Sequence, residues 1–213
     1  MIKSLEQAKK HLKADTTGIL ILMIMFFSLS AHSLVNAIRY SKESLDAYEV
    51  VLVEEDSEDD KKSCNYYAIY IDGVEYGELD YNEYCNIEEE KVPDYLKATC
   101  VAHEGEKAIQ CVIIGFILFC LLVIFMDVKR GKTPFQKRSV DCLRIAAILT
   151  MCVNIVPWIV RLMTLIVCLE SVTIFGNLTP SGLFVIAIGG VIWMIAEIFK
   201  YGCALQEDSD LIA

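Results

Sequence analysis

No Cys-x-x-Cys pair occurs among the nine cysteines of this 213-residue chain. Of its three histidines, only His103 falls in the polar segment between the first two apolar runs. A tetrahedral zinc ligand set at its usual spacing is therefore absent. Also missing is a calcium loop with alternating oxygen ligands about a turn glycine. The acidic stretches Asp56 to Asp60 and Glu88 to Glu90 read instead as solvated charge runs. No nucleophile, base or metal cluster gathers at one depth, so no catalytic residue, metal site or cofactor is expected. No internal repeat of the kind that builds secondary transporters is visible.

What the chain has in excess is apolar sequence: 55% of its residues, with a mean hydropathy of +0.45. That is high for an ordinary globular protein, and it is concentrated in blocks. A bilayer core requires about 20 consecutive apolar residues in a helix. Four runs reach that length: 18–38, 108–127, 145–169 and 181–200. The first can alternatively be read as the apolar core of a secretory signal. Lys3, Lys9, Lys10 and Lys13 precede it, and Ser28-Leu29-Ser30 offers small residues at cleavage spacing. Its length favours a retained anchor.

Basic residues near the ends of spans mark the cytoplasmic side. Residues 1–17 carry four lysines, and 128–144 contain Lys129, Arg130, Lys132, Lys137, Arg138 and Arg144. The topology that follows has a cytoplasmic N-terminus (1–17), an acidic extracellular domain (39–107) and a basic cytoplasmic loop (128–144). A short extracellular loop (170–180) and a cytoplasmic tail (201–213) complete it, in the cell membrane. Segment 39–107 holds seven Lys/Arg against twenty Asp/Glu, a net −13, while the whole chain stands at −10. The acidity therefore belongs entirely to this segment.

The acidic domain is small for an independent core. Val50 to Val53 read as a short strand. Further on, β-branched and aromatic residues flank Asp72-Gly73, a pair suited to a type I′ turn, which predicts a hairpin with strands 66–71 and 74–79. Cys64, Cys85, Cys100 and Cys111 are the disulfide candidates, because thiols outside the membrane meet an oxidising compartment. Four cysteines allow three connectivities, and Cys64 with Cys85 would bracket the hairpin. The fold class expected is an all-α transmembrane four-helix bundle with a small α+β or β-hairpin-containing extracellular insertion between helices 1 and 2.

Polar groups inside a span are functional candidates by default, because inserting a charge costs about 2.5–3.5 kcal/mol. Here each has a structural reading. Arg161, near the outer end of the third run, can snorkel or pair with Glu170. Glu197, three residues before Lys200, can pair with Arg144. Asn154 and Pro157 stand about a helical turn apart, and the proline predicts a kink. Gly182, Ala187, Gly189 and Gly190 offer a small-residue face for helix packing.

Two motifs carry a family resemblance. In the loop, GKTPFQKRSVDCLRI (131–145) contributes Gly131, Thr133, Pro134, Phe135, Leu143 and Arg144. In the tail, AEIFKYGCALQEDSDLIA (196–213) contributes Glu197, Phe199, Gly202, Leu205, Gln206, Glu207 and Asp210. In these motifs and in the order of its four spans the chain resembles the DUF2975 family, four-helix bacterial membrane proteins of unassigned biochemical role. The resemblance brings no catalytic residues. It implies a partner, since members are often encoded beside a small helix-turn-helix regulator. The acidic domain looks like an elaboration beyond the family's usual loop.

Locally, Thr133 can act as N-cap with Pro134 at the first helical position, and Gly202 can end the fourth helix to release an acidic tail. Thr133, Pro134, Phe135, Arg144, Leu205, Gln206 and Glu207 are thus the candidates for docking a soluble partner. The function expected is non-enzymatic and regulatory or sensory. The alternative is a small permease or an immunity-type protein binding a cationic peptide, which would suit the −13 domain. Beyond the lipid bilayer, the partners expected are the small DNA-binding regulator and a cationic extracellular ligand. Direct nucleic-acid binding is not expected.

Overall fold

The computed structural model describes residues 2–55, 64–79, 92–130, 136–169 and 180–212. Helix α1 (Ile2–Lys42) leads through a 3₁₀ turn (Leu45–Ala47) to strands β1 (Tyr48–Glu55), β2 (Cys64–Ile71) and β3 (Val74–Leu79). Helices α2 (Val92–Lys129), α3 (Lys137–Leu169) and α4 (Pro180–Ile212) follow. Each of the four helices contains a stretch long and apolar enough to cross a membrane, and the small sheet lies between the first two in sequence. The chain divides into two compact units: 1–33, 106–159 and 176–213 form a helical unit, and 34–105 with 160–175 form a sheet-bearing unit.

In the sheet-bearing unit the strand order is β1-β2-β3, all antiparallel. The expected hairpin is present. Asp72 and Gly73 both take positive φ, 52° and 74°, as a type I′ turn requires, and the register runs from Ile71 opposite Val74 outward. An irregularity between Ile69 and Tyr70 shifts that register and places Gly77 opposite Ile69. The first strand extends to eight residues, further than Val50 to Val53 alone suggests.

Residues 92–105, to which the sequence pattern assigns no element, are helical. Pro93 and Asp94 suit a first turn, where a proline forfeits no helical hydrogen bond and a carboxylate meets the positive end of the helix dipole. From there Val92, Tyr95, Leu96 and Cys100 recur at helical spacing on one face. They bury against Tyr48, Ile69 and Ile71, forming the core of the unit, with Tyr40, Val50 and Tyr76 packed at its margin. The end of α1 is fastened to this core. Lys97 Nζ donates to the Glu43 carbonyl at 2.6 Å and the Tyr48 hydroxyl donates to the Tyr40 carbonyl at 2.8 Å, satisfying acceptors that a helix C-terminus leaves open.

Small residues set the packing of the helical unit. A Cβ built on Gly115 of α2 would stand 2.8 Å from Phe27 Cζ of α1, and the Phe27 ring meets Phe116 edge-on at 5.8 Å. Close by in sequence, the buried Ser30 hydroxyl donates to the Ala108 carbonyl at 2.9 Å. Between α3 and α4, Gly189 lies against Ala147 and Met151. Of the expected small-residue face on α4, Gly182 and Gly189, two turns apart, are buried, whereas Ala187 is exposed and Gly190 meets open space.

One local expectation is corrected. The fourth helix does not end at Gly202 but continues to Ile212. An interior glycine costs only about 1 kcal/mol relative to alanine, and Ala204, Leu205, Gln206 and Glu207 are all strong helix formers that carry the helix on. The third helix begins at Lys137, with the Val140 amide bonding the Gln136 carbonyl. The cap expected of Thr133 and Pro134 lies outside the described residues. Pro157 lies within α3 and is fully buried.

Candidate functional site

Three groups of polar side chains stand out, two in the helical unit and one in the sheet-bearing unit. In the helical unit Arg144 of α3 meets Glu197 of α4. The guanidinium forms a salt bridge with Glu197 through Nη2, and its Nε donates to Glu197 Oε1 at 3.1 Å. The same guanidinium lies 5.7 Å from the Trp193 ring centroid, within the range of a cation–π contact. Lys200 Nζ stands 3.9 Å from the other carboxylate oxygen. Both oxygens of Glu197 are therefore engaged, and the carboxylate holds two cations at once. Sequence position suggested this pairing, since both residues border apolar runs on the same side.

A second pair was not foreseen. Asp127, 2% exposed, has its Oδ2 3.7 Å from Arg138 Nη1. The signal available was an acidic residue closing the second apolar run, followed by a basic segment too densely charged to single out one partner. Ser139, also buried, has no hydrogen-bond partner for its hydroxyl among the described residues.

In the sheet-bearing unit, tyrosines surround the first turns of α2. The Tyr76 hydroxyl donates to Glu104 Oε1 at 3.3 Å, and Tyr40 meets Tyr76 edge-on with ring centroids 5.3 Å apart. Cys100 is completely buried among them. Burial pushes the Cys100 thiol up to about 12, with the Glu104 charge adding to it. Burial likewise raises Tyr48 to about 12, and it raises Tyr76 strongly, with the charges of Cys100 and Glu104 adding in the same direction. These surroundings favour neutral, protonated groups, the opposite of what a thiolate nucleophile or a tyrosinate base needs.

These shifts predict alkaline instability. An unfolded tyrosine loses its proton near 10, while folded Tyr48 holds it until about 12. Between those values the unfolded chain binds fewer protons, so stability present below pH 10 falls as pH rises toward 12. In an alkaline titration the near-ultraviolet circular dichroism of the tyrosines should therefore collapse in that interval, and Tyr48→Phe should move the collapse to higher pH. A collapse unmoved by that substitution would exclude Tyr48 as its source.

The disulfide candidates separate into two kinds. Cys100 and Cys111 are free thiols, as are Cys120, Cys142, Cys152 and Cys203. Cys100 and Cys111 cannot bridge each other, because eleven residues along one helix separate them by about 16 Å, far beyond disulfide reach. Cys100 is a core residue of the small unit instead of a staple. The pairing of Cys64 with Cys85 lies outside the described residues.

Of the docking candidates, Leu205 is 71% exposed and Gln206 half-buried on α4. Glu207 occupies the same helix and Arg161 the helix α3, but their side chains, like Thr133, Pro134 and Phe135, are outside the described set. Asn154 is half-buried three residues before Pro157. Among the described residues no group of three or more His, Cys, Asp or Glu is placed to hold a metal ion.

A scan of protein-family models finds no match to this chain, and searches of curated proteins and of solved structures find none either.

Proposed function

We propose that the chain is a multi-pass protein of the cell membrane with both termini cytoplasmic. In this reading residues 39–107 face outward to receive a signal, and the loop and tail on the inner side dock a small DNA-binding regulator. The role is regulatory or sensory, without catalysis. The observation that carries the reading is the Arg144 to Glu197 salt bridge, because one partner lies in each of the two motifs that resemble the DUF2975 family. Residues far apart in sequence are thereby brought to one place, as a shared docking surface requires. The basic charge of the loop supports a cytoplasmic position for that surface.

The test is affinity capture with the tagged full chain, with captured proteins identified by mass spectrometry. A small helix-turn-helix protein should be recovered, and recovery should be lost with Phe135→Ala or Gln206→Ala. Arg144→Glu should weaken it, and the double reversal with Glu197→Arg should restore it. Recovery indifferent to all four changes would remove the proposed surface. The second reading, an immunity-type protein that binds a cationic peptide, is favoured by the −13 of residues 39–107. It requires peptide binding that weakens as salt screens the charge.

A further inference from the structure

The tip of the β2–β3 hairpin and the end of α1 enclose a cavity of 140 Å³ lined by Arg39, Tyr40, Asp72, Val74, Glu75 and Tyr76, among others. Its chemistry is mixed in a particular way: one guanidinium, two carboxylates and two phenol rings. Its position is fixed by α1. The apolar run 18–38 measures about 31 Å as a helix, which matches the roughly 30 Å hydrocarbon core of a bilayer. Arg39 and Tyr40 are the next two residues and so stand at headgroup level.

The hairpin tip is held at the same depth, because Asp72 Oδ2 lies 3.9 Å from Arg39 Nη2. Val74, the residue after the turn, is 69% exposed. At this depth an apolar side chain meets the boundary of the acyl chains.

We infer that this cavity binds the headgroup of a zwitterionic aminophospholipid, phosphoethanolamine in chemical terms. The exposed guanidinium of Arg39 already meets Glu43 Oε1 through Nε at 3.4 Å as well as Asp72, and it takes the phosphate through the remaining donors of its planar fork. The primary ammonium enters between Asp72, Glu75 and the tyrosine rings, where carboxylates accept its protons and aromatic faces attract its charge. A cavity of this size holds a group about as large as benzene, enough for the ethanolammonium with the phosphate at the mouth. An anionic headgroup without an amine meets two carboxylates and gains nothing from the rings. A choline headgroup has no protons to donate. The inference rests on residues 18–38 crossing a bilayer and is independent of the regulator proposed for the other side.

The experiment uses the full chain in detergent, stripped of lipid, then supplied with equal amounts of phosphatidylethanolamine, phosphatidylcholine and phosphatidylglycerol. Retained lipid is counted by native mass spectrometry. Phosphatidylethanolamine should be retained about tenfold over phosphatidylglycerol, the worth of one charge-assisted hydrogen bond. Arg39→Gln and Glu75→Gln, both at exposed positions, should each abolish the preference while the tyrosine circular dichroism stays that of the parent chain. Equal retention of the three lipids, or a preference that survives both substitutions, overturns the inference. Water-soluble phosphoethanolamine binding as tightly as the lipid would make the ligand a free metabolite. A cationic peptide that binds the Arg39→Gln chain normally and the Glu75→Gln chain poorly would make the cavity a peptide site; either result overturns the lipid assignment. A chain that leaves membranes on an alkaline carbonate wash would instead refute the spanning reading itself.

Discussion

Leu96→Ala is expected to unfold the sheet-bearing unit while leaving the packing of the helical unit intact. Leu96 is wholly buried at the centre of the core formed by Tyr48, Ile69, Ile71, Val92, Tyr95 and Cys100. Truncating a buried leucine costs about 2–5 kcal/mol through lost transfer free energy and the cavity left behind. A unit this small has little stability to lose, since whole domains rest on about 5–15 kcal/mol. The chromophores separate the two units. Nine of the ten tyrosines lie within 34–105, while both tryptophans, Trp158 and Trp193, belong to the helical unit. Near-ultraviolet tyrosine dichroism should thus be lost at room temperature, with tryptophan fluorescence unchanged. A parent-like tyrosine spectrum and melt would show that Leu96 is not the keystone of that core.

Gly189→Leu should damage the packing of the helical unit, and its neighbour supplies the control. A Cβ at Gly189 would lie 2.6 Å from Met151 Cγ, 3.0 Å from the Ala147 carbonyl oxygen and 3.1 Å from the Met151 amide nitrogen. The methionine side chain can swing aside, but the two backbone atoms belong to α3 and can retreat only if the helices part. Overpacking of this kind costs about 1–3 kcal/mol and more for a full leucine. The same Cβ at Gly190 meets nothing within 4 Å. In detergent, Gly189→Leu should therefore lower the melting temperature followed by tryptophan fluorescence, while Gly190→Leu leaves it near the parent value. Equal shifts for the two would mean that α3 and α4 do not meet at Gly189.

The parts of this structure that could be read in the sequence are those governed by local rules. Asp72-Gly73 announces its turn because few pairs tolerate two positive φ values in succession. The four apolar runs stand out because hydrocarbon admits so few charges. Arg144 and Glu197 could be matched because each was the nearest opposite charge at the same edge. What escaped was set by tertiary contacts. The stripe Val92, Tyr95, Leu96 and Cys100 has helical spacing, but it is short, and the next position on that face is the charged Glu104, itself buried, which breaks the apolar pattern. Cys100 was read as a disulfide candidate for the same reason: only the packing of α2 on the sheet reveals it as a buried hydrophobe. Asp127 looked like the end of an apolar run, and only the geometry of Arg138 shows that it is buried and paired.

The position of β1 at the edge of the three-stranded sheet puts the acidity of the chain in a different light. An eight-residue edge strand carrying Val50, Val51, Leu52 and Val53 leaves one row of backbone groups outside the ladder of the sheet, and two copies sharing a bilayer would meet far more often than in dilute solution. Glu49, Glu54 and Glu55 lie on that strand, and Asp56, Glu58, Asp59 and Asp60 follow it directly. Like charges on both copies oppose edge-to-edge pairing, the task that lysines and prolines perform on other edges. Negative charge along that edge would then disfavour the pairing of neighbouring molecules into ribbons whether or not a cationic ligand binds.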